Sequence, residues 1–512
     1  MKGNKIFKAT FVVMIVTLLS RVLGMVRDIL VASNFGAGVY TDAYKAAVSI
    51  PDNLFTIIGL AISTVFIPMI SKVKYEKGKE EMFKFSNNII SILSAISVLL
   101  LVFGLIFTKD LVKIVATGFD QERMDLAITL TKISLINLLF LSINVCFLSM
   151  LQVCEKFILP SILGLFLNLP MIIYLVLFKD ISILGLTVAN VIGNALRVVV
   201  QIPALYKEGY RIIPHINLKD ERIKRVLILV VPVIIGAGAN SLNMIVDLNI
   251  SSTLDVGSMS ALDYAQKIIV FINTAITTSI VSVLYPVMSN KLNEGDNEGF
   301  LTYLCKSIVI ISLLLIPIAF AIILLNKEIV TAFYGRNQFG ASAITLTSIA
   351  LLGYSMQIPF LGVRDILNSS LFSMQKTKIT TINGVIGVVV NIVLSITLSR
   401  KIGLLGVAIA SSIASAVTAI LLFYSTKKVI GNIDLRDMLK SLSKITISAF
   451  IMIFIVKIVN DFLGISNPFM VLIIDGAIGS IVFFTGCIVL RVKELKEILD
   501  MLLKKFIRKE VR

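Results

Sequence analysis

The chain of 512 residues is 57% apolar and 15% charged, with a mean hydropathy of +0.95. A soluble domain carries about 25% charged residues, so this composition excludes a large soluble catalytic domain; at roughly 20 residues per span it leaves room for a dozen or more membrane crossings. The 48 basic and 31 acidic residues give a net charge of +17, which in so apolar a chain points to anionic lipid and excludes nucleic acid as the expected partner.

In chain order, apolar runs separated by short polar loops predict fourteen helical spans, centred near residues 20, 57, 96, 140, 168, 194, 236, 275, 312, 355, 388, 414, 451 and 478. The first run continues through Arg21 and Arg27 to residue 33 without a small-residue cleavage pattern, so it reads as a span and not as a signal peptide. With the N-terminus in the cytoplasm, the cytoplasmic segments hold 31 Lys and Arg against 8 in the opposite loops. Positive loops stay inside, which predicts a multi-pass protein of the cell membrane with both termini cytoplasmic. Beyond residue 490, Leu495, Ile498, Leu499, Leu502, Leu503 and Phe506 recur at helical spacing among lysines. That pattern predicts a cytoplasmic amphipathic helix at the inner leaflet.

A weak internal repeat organises the chain. Asp28 aligns with Asp247 and Gly38 with Gly257 at an offset of 219; Tyr44 aligns with Tyr264 at 220 and Pro68 with Pro286 at 218. Lys156 matches Lys376 at 220, and the run from Leu184 matches that from Leu405 at 221. The expected architecture is therefore all-α and polytopic: an N-lobe over 1–215 (spans 1–6), a C-lobe over 216–430 (spans 7–12), two further spans over 431–490 and the tail over 491–512. Six spans per repeat give both lobes the same orientation, and parallel repeats of this kind flank a central cavity near the midplane in transporters. Pro51, Pro68, Pro232, Pro286 and Pro359 are expected kinks, and Gly236, Gly238, Gly384 and Gly387 expected points of close helix approach.

Charges inside spans usually face a cavity or a partner. The first two spans hold Arg21, Arg27, Asp28, Asp42, Lys45 and Asp52; the second lobe adds Asp247, Asp263 and Lys267, with Tyr264 beside them. Arg21 and Arg27 are six residues apart, about 60° from a common direction and some 9 Å along the axis. Two readings stand: Arg27 or Asp28 neutralises a neighbour between helices, or the arginines take the phosphates of an anionic lipid-linked substrate, which the guanidinium fork suits. Arg364 with Asp365 reads as a local pair. The one histidine, His215, reads as an ordinary loop residue, and Cys146, Cys154, Cys305 and Cys487 as inert thiols in apolar runs. No metal site is expected, and no GxxxxGK[ST] loop occurs, so no ATP site or other cofactor is expected either. Any coupling ion is left unspecified.

The run SRVLGMVRD (Ser20 to Asp28), then NFGAGVYTDAY (Asn34 to Tyr44) and FIP (Phe66 to Pro68), resembles the N-terminal signature of the MurJ (MviN) lipid II flippases, in the multidrug/oligosaccharidyl-lipid/polysaccharide exporter superfamily. Weaker echoes follow at Ala116 to Phe119, at Phe157 to Ser161 with Asn168, at Tyr264 to Lys267 and at Asn391. The resemblance implies a non-enzymatic transporter of cell-wall biogenesis. It would move an undecaprenyl-diphosphate-linked peptidoglycan precursor from inner to outer leaflet by alternating access, with membrane lipids and cell-wall synthesis proteins as further partners. It also implies that Arg21, Arg27 and Asp42 match functional positions; with Lys267, the cation that the second repeat adds, these are the expected substrate-binding residues. Two positions depart from the family pattern: Pro51 to Thr56 lacks its arginines, and Gln266-Lys267 stands for its Asp-Arg pair. The alternatives are an exporter of another polyprenyl-linked polysaccharide unit and a cation or drug antiporter of the same superfamily.

Overall fold

The computed structural model describes residues 2–431, 435–465 and 467–500, and over these the chain is helical with no strand. Two compact units emerge, Met1–Ser260 with Arg336–Ala343, and Ala261–Gly335 with Ile344–Arg512.

The first unit contains α1 (Lys2–Phe35), α2 (Val39–Ile106), α3 (Thr108–Val115), α4 (Gln121–Ser134), α5 (Asn137–Val153), α6 (Ile158–Leu177), α7 (Ile183–Val199), α8 (Ile202–Lys207) and α9 (Glu221–Ser252). Short polar side chains start several of these helices by accepting backbone N–H bonds: Asp120 from Arg123 at α4, Ser182 from Gly185 at α7 and Asp220 from Arg222 at α9. Within this unit α1 packs on α6, and α2 packs on α4, α5 and α9. Small side chains allow the approach, with Ala43, Ala46 and Ala47 fully buried among Leu130, Leu138 and Leu186. A second cluster gathers Phe66, Phe85, Met82, Met150 and Tyr210. Amides bind α5 to α7 where hydrocarbon offers no competitor: Asn137 donates to Asn190 at 2.9 Å, and Gln201 donates to Asn144 at 2.9 Å.

The second unit holds nearly all of α10 (Ser258–Asn293), then α11 (Asn297–Tyr334), α12 (Ala341–Ser355), α13 (Gln357–Ser373), α14 (Thr377–Ile430), α15 (Arg436–Leu463) and α16 (Pro468–Val489). Here α11 packs on α13, α15 and α16. Asp296 starts α11 and Asn467 starts α16, and Gly464, in the left-handed region at φ 59°, ends α15.

Among the described residues, nine helical stretches are long and apolar enough to cross a membrane, ten if α12 and α13, bent by 44°, form one span. The structure joins spans that the hydropathy pattern separates. At 1.5 Å per residue, the 68 residues of α2 extend about 100 Å, against a hydrocarbon core of about 30 Å. The helix breaks at Gly78 (φ 84°, ψ 177°), and the 54-residue α14 breaks at Ile402 and Gly403. α2 leaves helical geometry at Gly78, whereas Pro51 and Pro68 lie inside α2 and Pro286 inside α10. Of the expected close approaches, Gly387 faces Thr418 so tightly that a Cβ would collide, whereas Gly238 and Gly384 face open space. In the tail, Leu495 is buried, and ion pairs Lys493–Asp437 (2.7 Å) and Lys306–Glu497 (2.9 Å) dock the segment on α15 and α11. Leu502, Leu503 and Phe506 lie outside the described residues.

Candidate functional site

The charged residues of the first unit fall into two groups. On α1 the Arg27 guanidinium donates to Asp28 Oδ1 from Nε (3.1 Å) and Nη2 (2.9 Å), and to Asn168 Oδ1 of α6 from Nη1 (2.9 Å). Asn168 in turn donates to the Gly164 carbonyl at 2.8 Å, which fixes its amide so that the oxygen faces the arginine. Asp28 is buried, while the Arg27 side chain keeps 19% of its surface accessible. Arg27 and Asp28 thus pair with each other on one helix, and the contact Arg27 makes between helices is to the neutral Asn168. The pair also orients the guanidinium, with the Asp28 carboxylate taking one edge of the fork. Arg21 is exposed, about 9 Å further toward the N-terminus along the same helix.

The second group centres on Asp42, in the first turn of α2 and 1% exposed. Its Oδ2 accepts from Gly257 N at 2.7 Å, and its Oδ1 accepts from Ser260 N at 2.9 Å and Ser260 Oγ at 2.6 Å. These donors surround the start of α10, whose positive dipole end favours a carboxylate. Arg123 Nη1 stands 3.7 Å from Asp42 Oδ2, an ion pair without a hydrogen bond. Arg123 itself is 5% exposed, stacks on Phe119 at 4.8 Å and pairs with Asp120 at 3.1 Å. Asp120, outside the spans, lies below the usual carboxylate range, chiefly because the Arg123 backbone N–H bonds it, with the Arg123 charge adding to this. Gly257 sits at φ 92° with the Ala37 carbonyl where a Cβ would be, so only glycine closes this junction. The neighbouring turn is fastened to α9 by Gly118 N donating to Ser252 Oγ (3.0 Å) and Asn249 donating to the Ile114 carbonyl (2.8 Å).

The remaining sequence candidates are dispersed. Lys45 and Tyr44 are half-buried and Asp52 is exposed on α2; Asp247 on α9 accepts from Asn243 at 3.3 Å. In the second unit, Lys267 pairs with Asp263 at 2.7 Å and lies 5.6 Å from the ring of the buried Tyr264. Tyr264 packs on Tyr334 with ring centroids 5.0 Å apart. Gln266 accepts from Gln357 at 2.9 Å. Arg364 and Asp365 are 3.8 Å apart, the expected local pair. Two residues that sequence reasoning undervalued hold the site together. Arg123 reads from the sequence as one more loop cation, and its signal is the aromatic-acid pair Phe119-Asp120 beside it; Asn168 stands out as a polar residue in an apolar run and as a weak family echo, without pointing to Arg27.

The family model described as "Lipid II flippase MurJ" matches residues 31–473. A "Probable lipid II flippase MurJ" of Buchnera aphidicola is 28% identical over 470 residues, covering 90% of this chain and 91% of that protein. The "Lipid II flippase MurJ" of Burkholderia cenocepacia is 27% identical over 436 residues, 83% of this chain and 84% of the relative. Among solved structures, a lipid II flippase MurJ in an inward closed conformation superposes with a TM-score of 0.82 at 27% identity, over 94% of this chain and 99% of that one. An inward-facing multidrug resistance transporter of the MATE family, at 15% identity and a TM-score of 0.66 over 82% of this chain and 98% of its own, shares the fold. The chain thus belongs to the MurJ lipid II flippase family.

Proposed function

We propose that this protein is a lipid II flippase that carries the polyprenyl-diphosphate-linked peptidoglycan precursor from the inner to the outer leaflet by alternating access. The observation that carries this is the family match over most of the chain, together with a structural likeness to a lipid II flippase along nearly its whole length. In this reading fourteen spans form two parallel six-helix lobes with two added helices, both termini are cytoplasmic, and cell-wall synthesis proteins receive the product.

Arg21 and Arg27 contact the diphosphate. Arg27 is held ready by Asp28 and Asn168, and Arg21 is exposed on the same helix, so a phosphate finds a fixed fork and a mobile one. Lys267 on α10 supplies a further cation without bidentate geometry. Asp42, whose oxygens already accept three hydrogen bonds, acts by holding the start of α10 in one of the alternating states. A carrier with excess positive charge responds to the membrane potential by about 2.3 kcal/mol per charge per 100 mV. We assign the driving force to the potential or an ion gradient, since the sequence offers no phosphate-binding loop for ATP.

The test is complementation of a strain depleted of its own flippase. The unaltered protein should restore growth; Arg21→Ala and Arg27→Ala, at normal protein levels, should not. Full growth with both variants would remove the arginines from the cargo site.

A further inference from the structure

Away from the arginines, the first unit carries two adjoining cavities whose chemistry differs. Residues 210–217 form an irregular strap between α8 and α9. The strap is pinned along the second half of α2: Tyr210 donates to Asn87 (2.6 Å), Asn87 to the Arg211 carbonyl (2.8 Å), and His215 N to Ser91 (3.0 Å). Asn88 and Asn217 exchange two bonds, at 3.0 and 2.8 Å. Such a strap satisfies the backbone groups that an irregular segment otherwise exposes.

On one side of the strap lies an apolar cavity of about 670 Å³, walled by Ile90, Ile143, Phe147 and Val198. On the other lies a cavity of about 640 Å³ lined by Lys79, Lys84 and Arg211, with Glu80 and Glu208. Asn87, Ile213, Pro214 and His215 line both, so the two adjoin with the strap as their common wall. Of the two carboxylates, Glu208 is engaged by Lys79 (2.5 Å) and by Lys156 (3.0 Å), which lies outside the lining. The cationic side therefore keeps a positive excess. Arg211 is set at its rim by stacking on Tyr206 (5.0 Å) and by Nη1 bonds to the Tyr206 and Tyr210 carbonyls. Ile212, Ile213 and Ile216 are about half exposed on the strap, an outward apolar surface suited to the membrane interface.

A cationic chamber beside a hydrocarbon-walled one, with the strap between, complements a molecule whose anionic head lies on one side and whose apolar tail crosses to the other. We propose that this is a binding site for an anionic glycerophospholipid, with its phosphate on Lys84 and Arg211 and one acyl chain in the apolar cavity. Free phosphate would leave the apolar chamber unused, and a zwitterionic lipid would bring no net charge to the cations. The site is separate from Arg21 and Arg27 and does not depend on the identity of the cargo.

The test uses the purified full chain in micelles, with phosphatidylglycerol as probe and bound lipid counted by native mass spectrometry. Phosphatidylcholine of the same chains and inorganic phosphate as competitor are the comparison arms. Phosphatidylglycerol should bind at least tenfold more tightly than phosphatidylcholine. Lys84→Ala with Arg211→Ala should abolish that preference while phosphatidylcholine binding, the control for an intact fold, is unchanged, and Ser94→Phe, at a residue of the apolar cavity's lining, should weaken both lipids. Equal binding of the two lipids, or an unchanged preference in the Lys84/Arg211 variant, would overturn the proposal. Displacement by millimolar phosphate would overturn its acyl half, making the site one for small anions.

Discussion

Replacing Asp42 by Ala strips the acceptor from two backbone N–H groups and one hydroxyl, all within 2.9 Å, and leaves Arg123, buried at 5% exposure, with the half-exposed Asp120 as counter-charge in place of the buried Asp42 carboxylate at 3.7 Å. An orphaned buried donor costs about 1–3 kcal/mol, and breaking a buried ion pair from one side about 3–5 kcal/mol. These losses share one carboxylate and do not add. The larger figure therefore bounds them, and we expect about 4 kcal/mol, which at about 1.4 kcal/mol per factor of ten is roughly a thousandfold in the unfolding constant. Asp42→Asn keeps one oxygen and should lose about half as much. Steric trapping in bilayer discs reads these free energies. A double-mutant cycle of Asp42→Ala with Ser260→Ala isolates the Oγ bond, expected at about 1.5–3 kcal/mol as a hydrogen bond to a charge. A loss below 1 kcal/mol with a coupling near zero would refute the reasoning, and would assign the carboxylate to cargo or water instead of to the start of α10.

Other outcomes follow from the same structure. Gly257→Ala places a Cβ 2.6 Å from the Ala37 carbonyl at φ 92° and should lower stability by about 1–3 kcal/mol, measured in the same trapping assay. Asp475, 3% exposed on α16, has one carboxylate oxygen without a partner in a cavity walled by Met452, Val456 and Phe483. Asp475→Leu should raise the thermal midpoint, by an amount equivalent to about 1–3 kcal/mol; a lowered midpoint would reveal a ligand held by the acid. Hydrogen bonds from Lys79 and then Lys156 depress the Glu208 acid below its ordinary range. Its contribution is complete above the unfolded carboxylate range and is lost as pH falls through the depressed value. Thermal midpoints measured from pH 7 down to pH 3 should therefore fall less steeply for Glu208→Gln than for the unaltered protein, and parallel curves would contradict the pairing.

Much of the fold was legible because lipid imposes one rule, that backbone groups be satisfied within the helix, and hydropathy records it. Span boundaries were less legible. The polar run around Gly78 reads as a loop, but the structure carries helix through it with a single non-helical residue at Gly78, and Pro51 and Pro68 lie inside the same helix. The candidate site was half legible. Arg21, Arg27, Asp28 and Asp42 stood out as charges in apolar runs, but which distant residues they meet did not. Asn168 reaches Arg27 across 141 positions and Ser260 reaches Asp42 across 218, and no local pattern encodes such separations. Arg123 escaped notice because a cation in a short polar loop looks solvated until the fold closes over it.

The central claim is that this protein moves lipid II outward using the arginines of α1. In cells depleted of their own flippase and expressing this protein, the fraction of lipid II open to a membrane-impermeant cleaving enzyme measures that transfer directly. The unaltered protein should restore outer-face lipid II, and the Arg21→Ala/Arg27→Ala double variant, present at equal abundance, should leave lipid II on the inner face. Outer-face lipid II at the unaltered level in the double variant would contradict the claim.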